Sequence, residues 1–388
     1  MPPLERPLVV VSDTHLGPES PLSVGRDLAT LINANAGAEI VLSGDVFDLS
    51  FAPRHERSAE FLATLLDRVP ELGTAVHRHV SSGAPITVLP GNHDAALGER
   101  PVADVFRGRL GLAADAPVNV CPWFVRRGDV HVEHGHVYDP DNAPVHPLAA
   151  WSGRTEPLGI ALTRRFVAAT GASDFSHAQD ATPVSALARA FRLYRTRAPG
   201  MIAQYFRTAI ELCVESGPAV APHAERERSL GEERIGPFAG EVGVAPDTVA
   251  ALIGRVPPPT HLRRQDVILR LYFDRVFATL LFAASAAAIP RRPMASLVAL
   301  ASLAYLAGST LRGKDRYGHL PSLRLSEGAA RIRELTGARI VVLGHTHHSL
   351  VEDGYLNTGS FAFPRQAGRP YVTVDEHGGA ELRAQHGA

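Results

Sequence analysis

Ala338-Arg339-Ile340-Val341-Val342-Leu343-Gly344-His345-Thr346-His347 is the stretch from which the rest of this chain can be read. Its apolar, β-branched first part has strong strand propensity and no polar alternation, which describes a strand covered on both faces. Gly344 permits a tight turn. Two imidazoles follow at a spacing of two, so on an extended segment they point to the same side. His348 faces the other way and reads as a surface residue.

Working outward, four further blocks repeat this grammar of apolar run, turn and polar ligand-type residues. Leu8-Val9-Val10-Val11 leads into Ser12-Asp13-Thr14-His15, and Glu39-Ile40-Val41-Leu42-Ser43 into Gly44-Asp45, with Asp48 three residues on. Pro85 to Pro90 leads into Gly91-Asn92-His93-Asp94, and Asp129 to Glu133, a half-buried alternating strand, into His134-Gly135-His136. Alone, each block has an ordinary reading. Asp-x-His is a turn aspartate beside a surface histidine, Gly-Asn a common turn, and Asp48 a carboxylate at a helix start. His131 reads as a strand residue, and His136 stays open.

Together the blocks describe a two-metal hydrolytic site. Carboxylate plus imidazole suits Mn²⁺, Fe or Zn²⁺ better than Ca²⁺, which takes oxygen ligands. Asp45 has two oxygens and is the natural bridging ligand. Asn92 offers a neutral carbonyl oxygen. His93, its neighbour, points elsewhere and suits a general acid or a phosphate donor, with Asp94 placed to orient its imidazole.

This ordered set, Asp-x-His, Gly-Asp, Gly-Asn-His-Asp, His-Gly, Gly-His-Thr-His, resembles the calcineurin-like metallophosphoesterase superfamily, over roughly residues 1–140 and 325–388. The resemblance implies a four-layer α/β/β/α sandwich and two divalent metal ions, Mn²⁺ first, Fe or Zn as alternatives; the stretch between its two parts, 141–324, reads by its length and periodicity as a large helical insertion. Carried over, one ion would be held by Asp13, His15, Asp45 and His347, the other by Asp45, Asn92, His134 and His345. Catalytic roles fall to His93 and Asp94. A hydroxide shared by the metals would attack phosphorus in line. Gly44-Asp45-Val46-Phe47-Asp48 and the apolar insertion also look like the UDP-2,3-diacylglucosamine hydrolase branch. That branch has arginine where this chain has His93, and aspartate where it has His136.

Composition agrees with an enzyme of this kind. The 388 residues are 45% hydrophobic, enough for a large core, and carry a formal net charge of −1. Near-neutral charge and the lack of a basic–aromatic tract count against nucleic acid as a partner, and so against a nuclease of the same superfamily. Cys121 and Cys213 are the only cysteines, which excludes a disulfide framework and suits a reducing compartment. Met1 to Arg6 has no apolar leader core. The expected location is cytoplasmic, with membrane association as a variant of that reading.

About 210 residues separate His134 from His345, too many for a plain loop. Helix-spaced apolar residues recur at Ala186–Tyr194 and Met201–Phe206, and Ala245–Val249 reads as a turn into a helix. Val276 to Ile289 and Met294 to Leu311 are uncharged runs separated by Pro290-Arg291-Arg292-Pro293. They read either as a core helical hairpin or as a hairpin meeting a membrane or shaping a lid for lipid substrates. The expected partner is a phosphorylated small molecule or lipid head group, with a membrane surface as a further partner. Asn92, Arg54, Lys314 and His319 are candidate phosphate contacts, the last three reading equally well as exposed surface. The reading from another class is a non-catalytic scaffold that binds partners or membrane through the apolar hairpin.

Overall fold

In a computed structural model, residues 4–172, 183–312 and 320–386 are described. The N-terminal part alternates strand and helix: β1 (Leu8–Val11), α1 (Leu22–Ala34), β2 (Glu39–Ser43), α2 (Ser58–Asp67), α3 (Pro70–Ser81), β3 (Ile86–Leu89), α4 (Arg100–Arg109), β4 (Val118–Val120), β5 (Phe124–Arg127) and β6 (Val130–Glu133). A helical stretch follows: α5 (Leu158–Leu162), α6 (Pro183–Tyr194), α7 (Ala198–Glu215), α8 (Ala221–Glu233), α9 (Ile235–Val242), α10 (Pro246–Ile253), α11 (Arg264–Arg270), α12 (Phe273–Ala288), α13 (Ala295–Arg312) and α14 (Leu320–Thr336). The chain ends in β7 (Ile340–Leu343), β8 (Ser349–Glu352), β9 (Tyr355–Thr358), β10 (Arg369–Val374) and β11 (Ala380–Gln385).

The strands form two sheets. One has the order β11-β10-β1-β2-β3-β4, the other β5-β6-β7-β9-β8. In the first, β1 to β4 run parallel, Leu8 opposite Glu39 and Ile40 opposite Ile86. In the second, β6, β7 and β9 are parallel. Parallel strands are covered on both faces, which is why β1 and β7 read as unbroken apolar runs.

The period-two alternation of a strand sorts β1 between two cores. Val9 and Val11 join Leu28, Ile32, Leu62 and Phe106 beneath α1 to α4. Leu8 and Val10 face the second sheet, in a core shared with Val132, Val342 and Leu356. That core continues to Leu325, Ala329 and Ile332 of α14 and to Phe238 and Leu252 of α9 and α10. The layers are therefore helix, sheet, sheet, helix. Two helices of the outer layer, α9 and α10, come from within 141–324. The stretch read as an insertion thus also roofs the second sheet. Its other helices build a small core of their own around Leu158, Leu212 and Val267.

Candidate metal centre

Parallel strands in one sheet carry their carboxyl ends to the same edge. The edges of the two sheets meet, and every ligand-type block sits there. Asp13 N donates to Gly44 O at 3.0 Å, joining the loops after β1 and β2. Gly344 N donates to His134 O at 3.0 Å, joining those after β7 and β6. His345 N donates to Asp13 Oδ2 at 3.1 Å and Phe361 N to Ser12 O at 3.3 Å, which ties one sheet to the other.

Asp13, His15, Asp45, His345 and His347 all have positive φ, between 40° and 69°. Non-glycine residues enter this region at a cost of order 1–3 kcal/mol each, and such strain collects at functional sites. Glycines make room for the rest. A Cβ on Gly44 would stand 2.4 Å from the His134 ring, and one on Gly91 would stand 2.2 Å from Asp45 Oδ1.

The side chains converge in two groups joined by a third, which unites His15, Asp45 and His93. Asp13, His15 and His347 form one, with His347 Nε2 3.2 Å from Asp13 Oδ1 and 3.0 Å from His15 Nε2. Asp45, His134 and His345 form the other, with His134 Nε2 3.3 Å from Asp45 Oδ2 and 3.2 Å from Asn92 Oδ1. Asp45 touches both, its Oδ2 also standing 3.9 Å from His15 Nε2. Asp13, His15, Asp45, Asn92, His134, His345 and His347 are all buried.

Neighbours aim these groups. His134 Nδ1 faces Ser43 O at 2.9 Å, and donation there leaves the Nε2 lone pair for the centre. His93 N donates to Asp45 Oδ1 at 2.7 Å, and Ser12 Oγ to Asp13 Oδ2. The donor set fits a divalent ion. Imidazole and carboxylate lone pairs crowd one buried space, Asp13 Oδ1 has no hydrogen-bond partner there, and a cation relieves such mutual repulsion.

Electrostatics follow from burial and crowding. Burial pushes Asp13 up, but His134, His15 and His347 outweigh it and hold the carboxyl well below its usual range. Asp45 is likewise lowered, against burial, by His134 and His93. Burial lowers His134, yet Asp45 and Asp13 raise it to about 9.

His93 is aimed differently from the expectation. Its Nδ1 lies 2.8 Å from Asp48 Oδ1 and 3.0 Å from Ser50 Oγ, so the orienting carboxylate is Asp48. Asp94 instead accepts the backbone N–H of Asp45 (3.1 Å), Val46 (2.7 Å), Phe47 (3.1 Å) and Gly91 (2.7 Å). It stitches the loops after β2 and β3 together. Burial, then Asp45, pushes its pKa up to about 6. Asp48 makes no capping hydrogen bond at the short helix it precedes.

His136 is buried, its ring 5.4 Å from that of His134 and its Nδ1 without a hydrogen bond. His131 is a strand residue stacked on Phe124 at 4.5 Å. Arg54 is exposed and takes no part in the site's hydrogen bonds. Lys314 and His319 lie outside the described residues.

Sequence reading missed Asp139, whose Oδ2 stands 3.1 Å from His345 Nε2. Asn142 joins it, donating to Asp139 Oδ2 at 2.8 Å and accepting from Asn92 Nδ2 at 3.3 Å. The run Asp139-Pro140-Asp141-Asn142, close after the His134 block, was the available signal.

Residues 6–179 match the family model of the calcineurin-like phosphoesterases. The match is to the family at large and selects no branch within it. A search of curated proteins returned no match.

Proposed function

The chain carries a calcineurin-like phosphoesterase domain, and from that premise we propose that it is a dinuclear-metal-dependent phosphoesterase hydrolysing a phosphate ester or a pyrophosphate. One observation carries the reading. The Asp45 carboxylate is shared by two groups of ligand-type side chains, its Oδ2 standing 3.3 Å from His134 Nε2 and 3.9 Å from His15 Nε2. Asp13, His15, Asp45 and His347 would hold one ion, and Asp45, Asn92, His134 and His345 the other. Mn²⁺ is the first choice for this mixed nitrogen and oxygen set, with Fe or Zn as alternatives.

Bound divalent ions would neutralise phosphate charge and lower the pKa of an attacking water. The protein's own contribution is placement. His93, held at Nδ1 by Asp48 and Ser50, turns its other ring nitrogen to a departing oxygen and gives it a proton. Asp94 keeps the loop bearing Asp45 in position without touching substrate. The substrate is a phosphorylated small molecule or a lipid head group.

The test is elemental analysis of purified protein together with hydrolysis of an aryl phosphodiester, an aryl monoester and a pyrophosphate in the presence of Mn²⁺. Two metal equivalents and turnover on one of the three are expected. Asp45→Ala abolishes turnover and keeps the circular-dichroism spectrum. Normal turnover in Asp45→Ala ends the proposal.

A further inference from the structure

Helices α12 and α13 pack side by side; at the root Arg275 Nε donates to Ser309 Oγ at 3.0 Å and Tyr305 OH to Asp274 Oδ2 at 2.5 Å, and the most buried positions of the seam beyond it are small residues. The buried positions are Ala278 and Ser285 on α12, and Ala299 and Ser302 on α13. The large apolar side chains point outward: Phe277 is 68% exposed, Leu280 64%, Met294 71% and Leu300 64%, with Leu297 and Leu303 beside them. A hairpin that dissolves in water does the reverse, with large residues inside and polar ones outside. Small residues in the seam and large apolar ones around it are the packing rule of helices surrounded by lipid.

The distribution of this surface selects its partner. On α13, Leu297, Val298, Leu300 and Leu303 spread over more than half of the helix circumference, with Met294 exposed just before its first turn. A protein partner reads a stripe along one face; an apolar solvent meets every side. No charged residue interrupts Val276 to Ile289 or Met294 to Leu311, and the tip between them presents exposed Arg291 and Arg292. No described helix is long and apolar enough to cross a membrane. We infer that this hairpin beds in one leaflet of an anionic phospholipid membrane, its apolar sides among the acyl chains and its tip arginines on head-group phosphates.

The root of the hairpin ties this surface to the metal centre. Arg270, at the end of α11, pairs with Asp141, which also accepts from Thr260 Oγ1 at 2.7 Å. Asp141 lies two residues from Asp139, the partner of His345.

Flotation with vesicles tests this without reference to hydrolysis, so its failure would leave the metal-site reading standing. The full chain is expected to float with phosphatidylcholine vesicles containing phosphatidylglycerol. Phe277→Gln/Leu280→Gln/Leu300→Gln/Leu303→Gln lowers the partition coefficient on the order of tenfold or more. Arg291→Glu/Arg292→Glu weakens it on the anionic vesicles alone. Both variants keep the circular-dichroism spectrum and wild-type hydrolysis of a soluble aryl phosphate. A wild-type chain that stays in the soluble fraction at every lipid composition overturns the inference. So does a chain that dimerises through the hairpin, by light scattering, and does not float.

Discussion

His15 and His347, 332 positions apart in the chain, bring their Nε2 atoms to 3.0 Å from one another. Such an approach needs a shared proton or a cation between the rings, and Asp13 alongside favours a cation. Because these residues lie in the loops after β1 and β7, an ion held here would join the two sheets. Divalent metal should therefore raise the thermal midpoint, by about 3 kcal/mol of stability at a hundredfold excess over its dissociation constant. The effect should be reversed by a chelator and diminished in His347→Ala. Calorimetry with and without Mn²⁺ checks it, and an unchanged midpoint would contradict metal binding by the folded chain.

The pairing of His93 with Asp48 predicts that the two act as a unit. His93→Ala should lower kcat by roughly 10²- to 10⁴-fold with metal content unchanged. Asp48→Asn should lower kcat in the same direction with little change in KM. Loss of metal from His93→Ala would make His93 a ligand. That alternative has a geometric basis, since a third ligand-type group unites His15, Asp45 and His93.

Asp94 should behave as a structural residue. Asp94→Ala leaves four backbone N–H donors around the Asp45 loop without their acceptor. The expected cost is at least about 3 kcal/mol, together with weaker metal binding. Denaturant unfolding and metal titration measure both. A variant of normal stability and metal affinity but impaired turnover would return Asp94 to the chemistry.

His261 offers a pH test away from the metal centre. It is buried beside Leu158, Leu212 and Val267, neither ring nitrogen has a hydrogen-bond partner, and burial lowers its pKa from 6.5 to about 4. The unfolded chain thus takes up this proton below pH 6.5, while the folded chain refuses it until about pH 4. The stability is complete above pH 6.5 and is lost as pH falls toward 4. Between about pH 7 and pH 5 the wild type should lose about 2 kcal/mol more than His261→Phe. Equal losses in the two proteins would show that this histidine is not held neutral.

Much of the centre was legible because its geometry is local. An apolar run, a turn and a polar residue at a spacing of two place a side chain at a strand end whatever the rest of the chain does. Asp13, Asp45, Asn92, His134 and His345 could be named on that basis. The Asp48–His93 pair could not. Asp94 is adjacent to His93 in sequence and looked the better partner, but adjacent residues on a turn diverge, and Asp94 turned to the backbone amides of the next loop. Asp139 was hidden for another reason: the run Asp139-Pro140-Asp141-Asn142 could flag a polar turn, but its contact with His345 spans 206 positions and only the fold makes it. The positive φ of five ligand-type residues was equally invisible, because aspartate and histidine do not announce it as glycine does.

The amino-acid sequence alone determined the strand-and-turn pattern, the ligand types and their order, since propensity and spacing are properties of neighbouring residues. Only the folded chain decided which carboxylate serves which histidine, that helices from within 141–324 cover the second sheet, and that the α12–α13 hairpin turns its large side chains outward. Those outcomes depend on how distant segments pack, and each segment's own sequence permits more than one answer.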